Sequence, residues 1–137
     1  LKISNNIDKN LITSKNIIYL GHVDKLNNFY KKIDILCFPS YLNSLGRQIF
    51  EAALYKIPSL VCLKGNKSDS FINNVTGLSF KNPGSKIQIK KLINYFYFKR
   101  SNIAIMGSKA NKLVSKNHNV KDNLVKLKKI YGKYLKI

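Results

Sequence analysis

Acidic side chains are scarce in this 137-residue chain: there are six, five of them aspartates, and Glu51 is the only glutamate. Arginine is nearly as rare, with Arg47 and Arg100 the only two, and lysines supply the rest of the 25 basic residues. Cysteine is limited to Cys37 and Cys62, each inside an apolar, strand-like run (DILCF and SLVCL) with no CxxC or Cys/His spacing around it. The pair reads as buried free thiols, which argues against a disulfide framework or a zinc site and fits a reducing cytoplasm. No apolar run approaches the roughly 18 uninterrupted positions needed to cross a bilayer. The leader pattern of charged start, apolar stretch and small-residue cleavage site is not visible either. Because the chain opens at Leu1 rather than Met, an upstream part of the protein is expected to be missing. No nucleophile, base and orienting acid stand together in sequence, which argues against a hydrolase triad.

What the chain does have is enough apolar residues, 45%, for one domain with a real core. Its formal net charge of +19 raises nucleic acid and anionic membranes as partners. The lysines, however, are spread from Lys2 to Lys136 beside abundant Asn and Ile, which looks like a genome-wide composition bias. Nucleic acid is therefore not the favoured partner. A phosphorylated ligand, or a peripheral contact with an anionic lipid surface, stays open, since charge acts on both whatever its origin.

Periodicity organises the chain into alternating strands and helices. Ile17 to Leu20 reads as a buried strand running into the loop GHVD, while residues 1–16 are ambiguous. Asp24 is placed to cap a helix with Leu26, Phe29, Tyr30 and Ile33 at helical spacing. Asp34 then introduces the run ILCF, stopped by Pro39. Gly46 to Lys56 puts Ile49, Phe50, Ala53 and Leu54 on one helical face, and Pro58 begins an apolar run through Leu63. Strands that are apolar throughout and separated by helices belong to a parallel sheet covered on both faces, so the expected class is α/β, doubly wound and Rossmann-like.

Ligands of such sheets bind beyond the carboxyl ends of the strands, which directs attention to the loops Gly21 to Asp24, Ser40 to Gly46 and Lys64 to Asp69. Asn73 to Ser85 is turn-rich and reads as a loop or short edge strand. The C-terminal third reads as helices, with Ile89, Leu92, Ile93 and Phe96 on one stripe and Val120, Leu124, Leu127, Tyr131 and Tyr134 on another. The last helix is expected to pack on its own domain with a solvated lysine face; the competing reading is a basic amphipathic membrane contact. The aromatic cluster Tyr95 to Phe98 is expected to be core packing with one outward side. Of the two histidines, His22 falls in a candidate ligand loop, and His118, between Asn117 and Asn119 before the last helix, is expected to be solvated.

The chemistry concentrates around Glu51. At about 100° per residue, Arg47 and Glu51 lie together off the apolar stripe of their helix, a basic-before-acidic i,i+4 pair worth only a few tenths of a kcal/mol. Yet the helix begins directly after a strand end and a loop holding Asn43, Ser44 and Gly46. Free amides and the positive dipole end at a helix N-terminus form an anion site, and Gly46 permits close approach to the backbone. A carboxylate little more than one turn further on is placed to accept hydrogen bonds from hydroxyls. An anion beside a diol describes a nucleotide.

These residues resemble glycosyltransferases of family 4, which have the GT-B fold. That family ends its donor domain with a strand of the type aD-hydrophobic-PS, a loop E-G-F-G, and a second Glu followed by Ala. Here Asp34 to Ser40 reads DILCFPS, Asn43 to Gly46 stand at the E-G-F-G position, and Glu51-Ala52 match the closing pair. NIIYLGHV at Asn16 to Val23, KIPSLV at Lys56 to Val61 and INNVTGLSFKNP at Ile72 to Pro83 resemble further family segments, so the ordered match covers residues 16–83. Residues 84–137 form a compatible helical part. The resemblance implies that the 137 residues are part of the C-terminal nucleotide-sugar-binding domain, with the N-terminal acceptor domain absent.

It further implies the roles. Glu51 would hold the ribose, Ser44, Leu45, Gly46 and Arg47 would face sugar and diphosphate, Asn43 would stand where the family has a sugar-binding Glu, and Gly21, His22 and Val23 would lie near the base. The implied reaction is transfer of a sugar from a nucleoside diphosphate sugar to a glycan or lipid-linked acceptor, with retention of configuration. It uses no cofactor and no metal, and it belongs to cell-envelope polysaccharide synthesis at the cytoplasmic face of the membrane. Two departures stand out. Asn43 replaces an anionic acceptor with an amide that also donates, and residues 1–16 do not supply the family's diphosphate-binding Arg and Lys. The fragment alone is accordingly expected to be inactive. The competing functions are a non-catalytic nucleotide-binding module and a basic nucleic-acid-binding domain; no catalytic residue is assigned.

Overall fold

The computed structural model describes residues 15–40, 45–64 and 67–135. Its centre is a three-stranded parallel sheet in the order β1 (Leu36–Phe38), β2 (Ser59–Cys62), β5 (Gly77–Phe80). Leu36 lies opposite Ser59, and Ser59 in turn opposite Gly77, so the three strands start level. The middle strand β2 is buried along its whole length, Ser59 included, as expected when both faces of a sheet are covered. Helix α1 (Leu26–Tyr30) precedes β1, α2 (Arg47–Leu54) crosses from β1 to β2, and a small antiparallel hairpin of β3 (Lys67–Ser68) and β4 (Phe71–Ile72) lies between β2 and β5. Helices α3 (Lys86–Phe98), α4 (Ser101–Asn117) and α5 (Val120–Leu135) follow. The fold is the α/β arrangement expected, with helices after the sheet.

Alternation along the strands divides the core in two. Leu60, Cys62, Leu78 and Phe80 point to one face and meet Phe96 of α3 and Met106 of α4. Val61 and Leu63 point to the other and meet Ile49 of α2 and Phe71 of β4. Helices α2 and α4 touch through small side chains, Ala53 against Ala110 and Val114. Gly107 is what permits α4 to come this close, because a Cβ there would overlap the carbonyl oxygen of Lys56. Gly77 has the same reason to be glycine, since a Cβ would collide with the Ser59 carbonyl of the neighbouring strand.

Several expectations need correction. Ile17 to Leu20 is not a strand: it pairs with no strand among the described residues, and Ile18 is 82% exposed. Its β-branched run has the character of a buried strand but finds no hydrogen-bonding strand among the described residues. Helix α1 stops at Tyr30, short of Ile33, and its N-cap is Lys25 without a side-chain bond, because Asp24 instead faces His22 at 3.1 Å. Asn73 to Ser85 resolves in favour of the edge strand, as β5 occupies Gly77–Phe80.

Cys62 is buried as expected, but Cys37 is exposed. It sits on β1, the terminal strand of the sheet, where no further strand among the described residues closes over it. In the aromatic cluster Phe96 is buried while Tyr97 and Phe98 are exposed, matching the expected core contact and outward side.

His118 is half-buried rather than fully solvated. Its Nε2 lies 3.1 Å from Ser70 Oγ and its ring meets Phe50 edge-on at 5.0 Å, while Asn117 donates to the Asp69 carbonyl at 2.8 Å. The end of α4 is thereby tied to the β3–β4 turn and to α2. The largest correction concerns α5, whose apolar stripe is not covered by the described part of the domain: Val120, Leu124, Leu127, Tyr131 and Tyr134 are all exposed.

Candidate functional site

Helix α2 positions the candidate site. Ile49, Ala52 and Ala53 are its buried face, so the stripe turns slightly from the expected one and leaves Leu54 outside. With that face fixed on the sheet, Glu51 and Arg47 emerge on the side toward α1. Arg47 Nε donates to Glu51 Oε1 at 2.8 Å, the i,i+4 contact read from spacing. Arg47 is 81% exposed, whereas the Glu51 side chain is only 20% exposed. Glu51 is therefore more sheltered than a surface ion pair.

The second Glu51 oxygen has a partner that spacing did not show. The Tyr30 hydroxyl, from α1, donates to Glu51 Oε2 at 2.9 Å. Tyr30 is 3% exposed and its ring stacks on Tyr55 at 5.2 Å with 15° between planes. Burial first, then the hydrogen bond to Glu51 and that carboxylate's charge, pushes the phenol pKa up to about 12. Tyr30 therefore stays protonated and a donor at neutral pH. An ionised carboxylate offers about four acceptor directions, so with one bond to each oxygen Glu51 keeps capacity for a further donor on both.

Glu51, Tyr30 and Tyr55 line a cavity of about 540 Å³ together with the start of α1, Asp24 to Asn28. A second cavity, of about 660 Å³, shares Asp24, Lys25 and Asn28 with it and is walled by Ile18, Leu20, His22 and Val23. Of the residues proposed from sequence, Glu51 thus lines the first cavity and His22 and Val23 the adjoining one, with Gly21 next to them in the chain at a positive φ of 61°. Leu45, Gly46 and Arg47 stand at the N-terminal end of α2, outside both linings. Asn43 and Ser44 lie outside the described residues. Gly46 is the N-cap in extended conformation with no side-chain cap, and no acidic residue occupies the first turn. The positive end of this helix is therefore not neutralised by its own side chains. Gly46 also lies under the Phe38 ring, where a Cβ would come within 2.8 Å of Cζ.

Among the described residues no group of three or more His, Cys, Asp or Glu side chains could hold a metal ion. Tyr30 and Tyr55 are the site residues that sequence reasoning missed. Tyr30 was legible only as one apolar position of a helix, and its partner is 21 residues away.

A parallel sheet between helices, with a cavity beside the helix that follows β1 and a single sheltered carboxylate in its wall, defines a Rossmann-like α/β domain. The sequence model of the family described as glycosyl transferases group 1 matches residues 4–117, and the chain belongs to that family, of the GT-B superfamily. Its architecture agrees with the C-terminal domain of GT-B enzymes. Comparison with curated proteins and with solved structures gave no significant match.

Proposed function

We propose that this chain is the donor-binding part of a retaining glycosyltransferase that moves a sugar from a nucleoside diphosphate sugar to a glycan or lipid-linked acceptor. The observation that carries the reading is Glu51, the only glutamate of the chain, held by Tyr30 and Arg47 in the wall of a cavity one turn from an uncapped helix start. In this reading Glu51 accepts hydrogen bonds from the ribose hydroxyls. The amides of Gly46 and Arg47, with the Arg47 guanidinium, meet the diphosphate, and Ser44 and Leu45 border the donor sugar. Gly21, His22 and Val23 border the base. As the glycosidic bond to the diphosphate breaks, helix-end amides and cationic side chains stabilise the negative charge that develops on the leaving group. Asn43, an amide in place of a carboxylate, shifts the choice of donor hydroxyls.

The setting of the reaction is cell-envelope polysaccharide synthesis at the cytoplasmic face of a membrane. For the 137 residues alone the measurable property is donor binding rather than turnover, because no residue here is assigned to the acceptor. Asn43 also favours a second reading, a nucleotide-binding module without catalysis that uses the same cavity.

The test is a panel of nucleoside diphosphate sugars read by thermal shift on the wild-type chain and on Glu51→Gln. A ligand at 100 times its Kd stabilises a fold by about 2.7 kcal/mol, so a genuine donor produces a clear upward shift that Glu51→Gln loses. A shift of equal size in both proteins removes Glu51 from the site. Sugar transfer by the 137-residue chain alone would overturn the assignment of binding without turnover. Polyanion binding that falls steeply with salt and survives Glu51→Gln would identify a nucleic-acid-binding domain instead.

A further inference from the structure

Three side chains of α2 stand one helical turn apart. Arg47, Glu51 and Tyr55, the last being the C-cap, follow one another at i, i+4 and i+8, about 6 Å per step along the axis. At about 100° per residue they fall within about 80° of arc, and Tyr30 of α1 touches both Glu51 and Tyr55. Glu51 and Tyr55 line the cavity of about 540 Å³, whereas Arg47 stands outside its lining, at the helix start. The Tyr55 ring is half-buried, with the buried Tyr30 ring against one face at 5.2 Å and 15° between planes. Its plane is thus set by a core residue while part of the ring stays open in the cavity wall. The polar residues Asp24, Asn27 and Asn28 belong to the same lining, and Asp24 and Asn28 are shared with the adjoining cavity of His22 and Val23.

We infer that Tyr55 is the platform on which the base of the nucleotide stacks. The inference rests on the reading of Glu51 as the ribose acceptor and extends that reading by one turn. Along α2 the side chains follow the order of a nucleotide's parts: a guanidinium for the diphosphate, a carboxylate for the ribose diol, an aromatic face for the base. The geometry of the ligand requires this order. Phosphate favours the positive end of the helix, and base and phosphate leave a ribose on opposite sides. With the ribose at Glu51, the base therefore points toward the C-terminal end of α2, where Tyr55 stands. Any apolar side chain would cover Tyr30, but a flat ring also offers a π face. Because Tyr30 already holds that ring, stacking on it costs little further ordering. Every base has a π face, so Tyr55 supplies affinity for nucleotides in general, and the edges of the base are left to Asp24, Asn27 and Asn28.

The chain contains no tryptophan, so Tyr55→Trp installs a single fluorescent reporter at the platform and keeps an aromatic ring over Tyr30. Titration with UDP and with GDP should quench its emission, because a stacked base quenches indole, and ribose 5-phosphate, which has no base, should not. Calorimetry on the same ligands should show Tyr55→Leu binding both nucleotides about tenfold more weakly than the wild type, with Tyr55→Phe close to the wild type and ribose 5-phosphate unaffected by either change. Circular dichroism confirms that each variant is folded, and the tryptophan titration decides if Tyr55→Leu is not. Nucleotide binding that Glu51→Gln abolishes, but that neither quenches the tryptophan nor depends on Tyr55, overturns the inference and leaves the reading of Glu51 standing. An equal loss for nucleotides and ribose 5-phosphate in Tyr55→Leu also overturns it, since the ring then acts only through Tyr30 and Glu51. Absence of nucleotide binding by the wild-type chain overturns both readings.

Discussion

The Tyr30 hydroxyl donates a 2.9 Å hydrogen bond to Glu51 Oε2, joining the buried ring of α1 to the only glutamate of the chain. With Arg47 on Oε1, this bond fixes the orientation of the carboxylate. The cluster is more than an i,i+4 pair on a helix surface, since one member is buried and comes from another element.

Tyr30→Phe tests that relationship directly. The ring and its stack on Tyr55 remain, so the change isolates the hydroxyl. Water can reach Glu51, which is 20% exposed, and partly replace the lost donor. The expected cost is about 1 kcal/mol of stability in urea unfolding, with weaker binding of any nucleoside diphosphate that depends on Glu51. Unchanged stability and unchanged binding together would remove the bond from the site.

Alkaline pH provides an independent reading of the same bond. The Tyr30 pKa is raised from 10.0 to about 12 in the fold, chiefly by burial, so between those values the folded chain holds a proton that the unfolded chain has lost. Stability from this group is therefore fully present below pH 10 and disappears as pH rises through about 12, a change on the order of 3 kcal/mol. Unfolding free energy measured across this range should fall more steeply in the wild type than in Tyr30→Phe.

Two helical glycines should respond in opposite directions to alanine. In an open helix the exchange gains about 1 kcal/mol. At Gly132 of α5 a Cβ would meet nothing within 4 Å, so Gly132→Ala should raise the helicity of α5. At Gly107 the new methyl meets the Lys56 backbone, and Gly107→Ala should destabilise the domain by about 2 kcal/mol as α4 is pushed from α2. Circular dichroism and urea unfolding distinguish the two.

The cysteines should separate under alkylation. Cys37 is exposed and Cys62 buried, so iodoacetamide followed by mass spectrometry of the folded chain should label the first and spare the second. Partial burial raises the Cys37 thiol pKa, and since only the thiolate reacts, labelling should be slow at neutral pH and accelerate on the alkaline side. Equal labelling of both residues would mean that β2 is open to solvent.

What could be read without the fold was whatever depends on near neighbours in the chain. The helix from Arg47, its contact with Glu51 and the apolar β2 follow from spacings of one to four residues, and short local segments such as DILCFPS carry the family membership. What the tertiary structure alone decided depends on distant neighbours. Tyr30 reaches Glu51 across 21 residues. Cys37, on the strand that is terminal among the described residues, is exposed, and Ile17 to Leu20 has no described strand beside it. His118 finds Ser70 across 48 residues. Helix α5 shows the same division: its stripe and lysines were legible residue by residue, but periodicity states only that a face is apolar. Whether anything covers that face is a property of the surrounding surface, and no local pattern contains it.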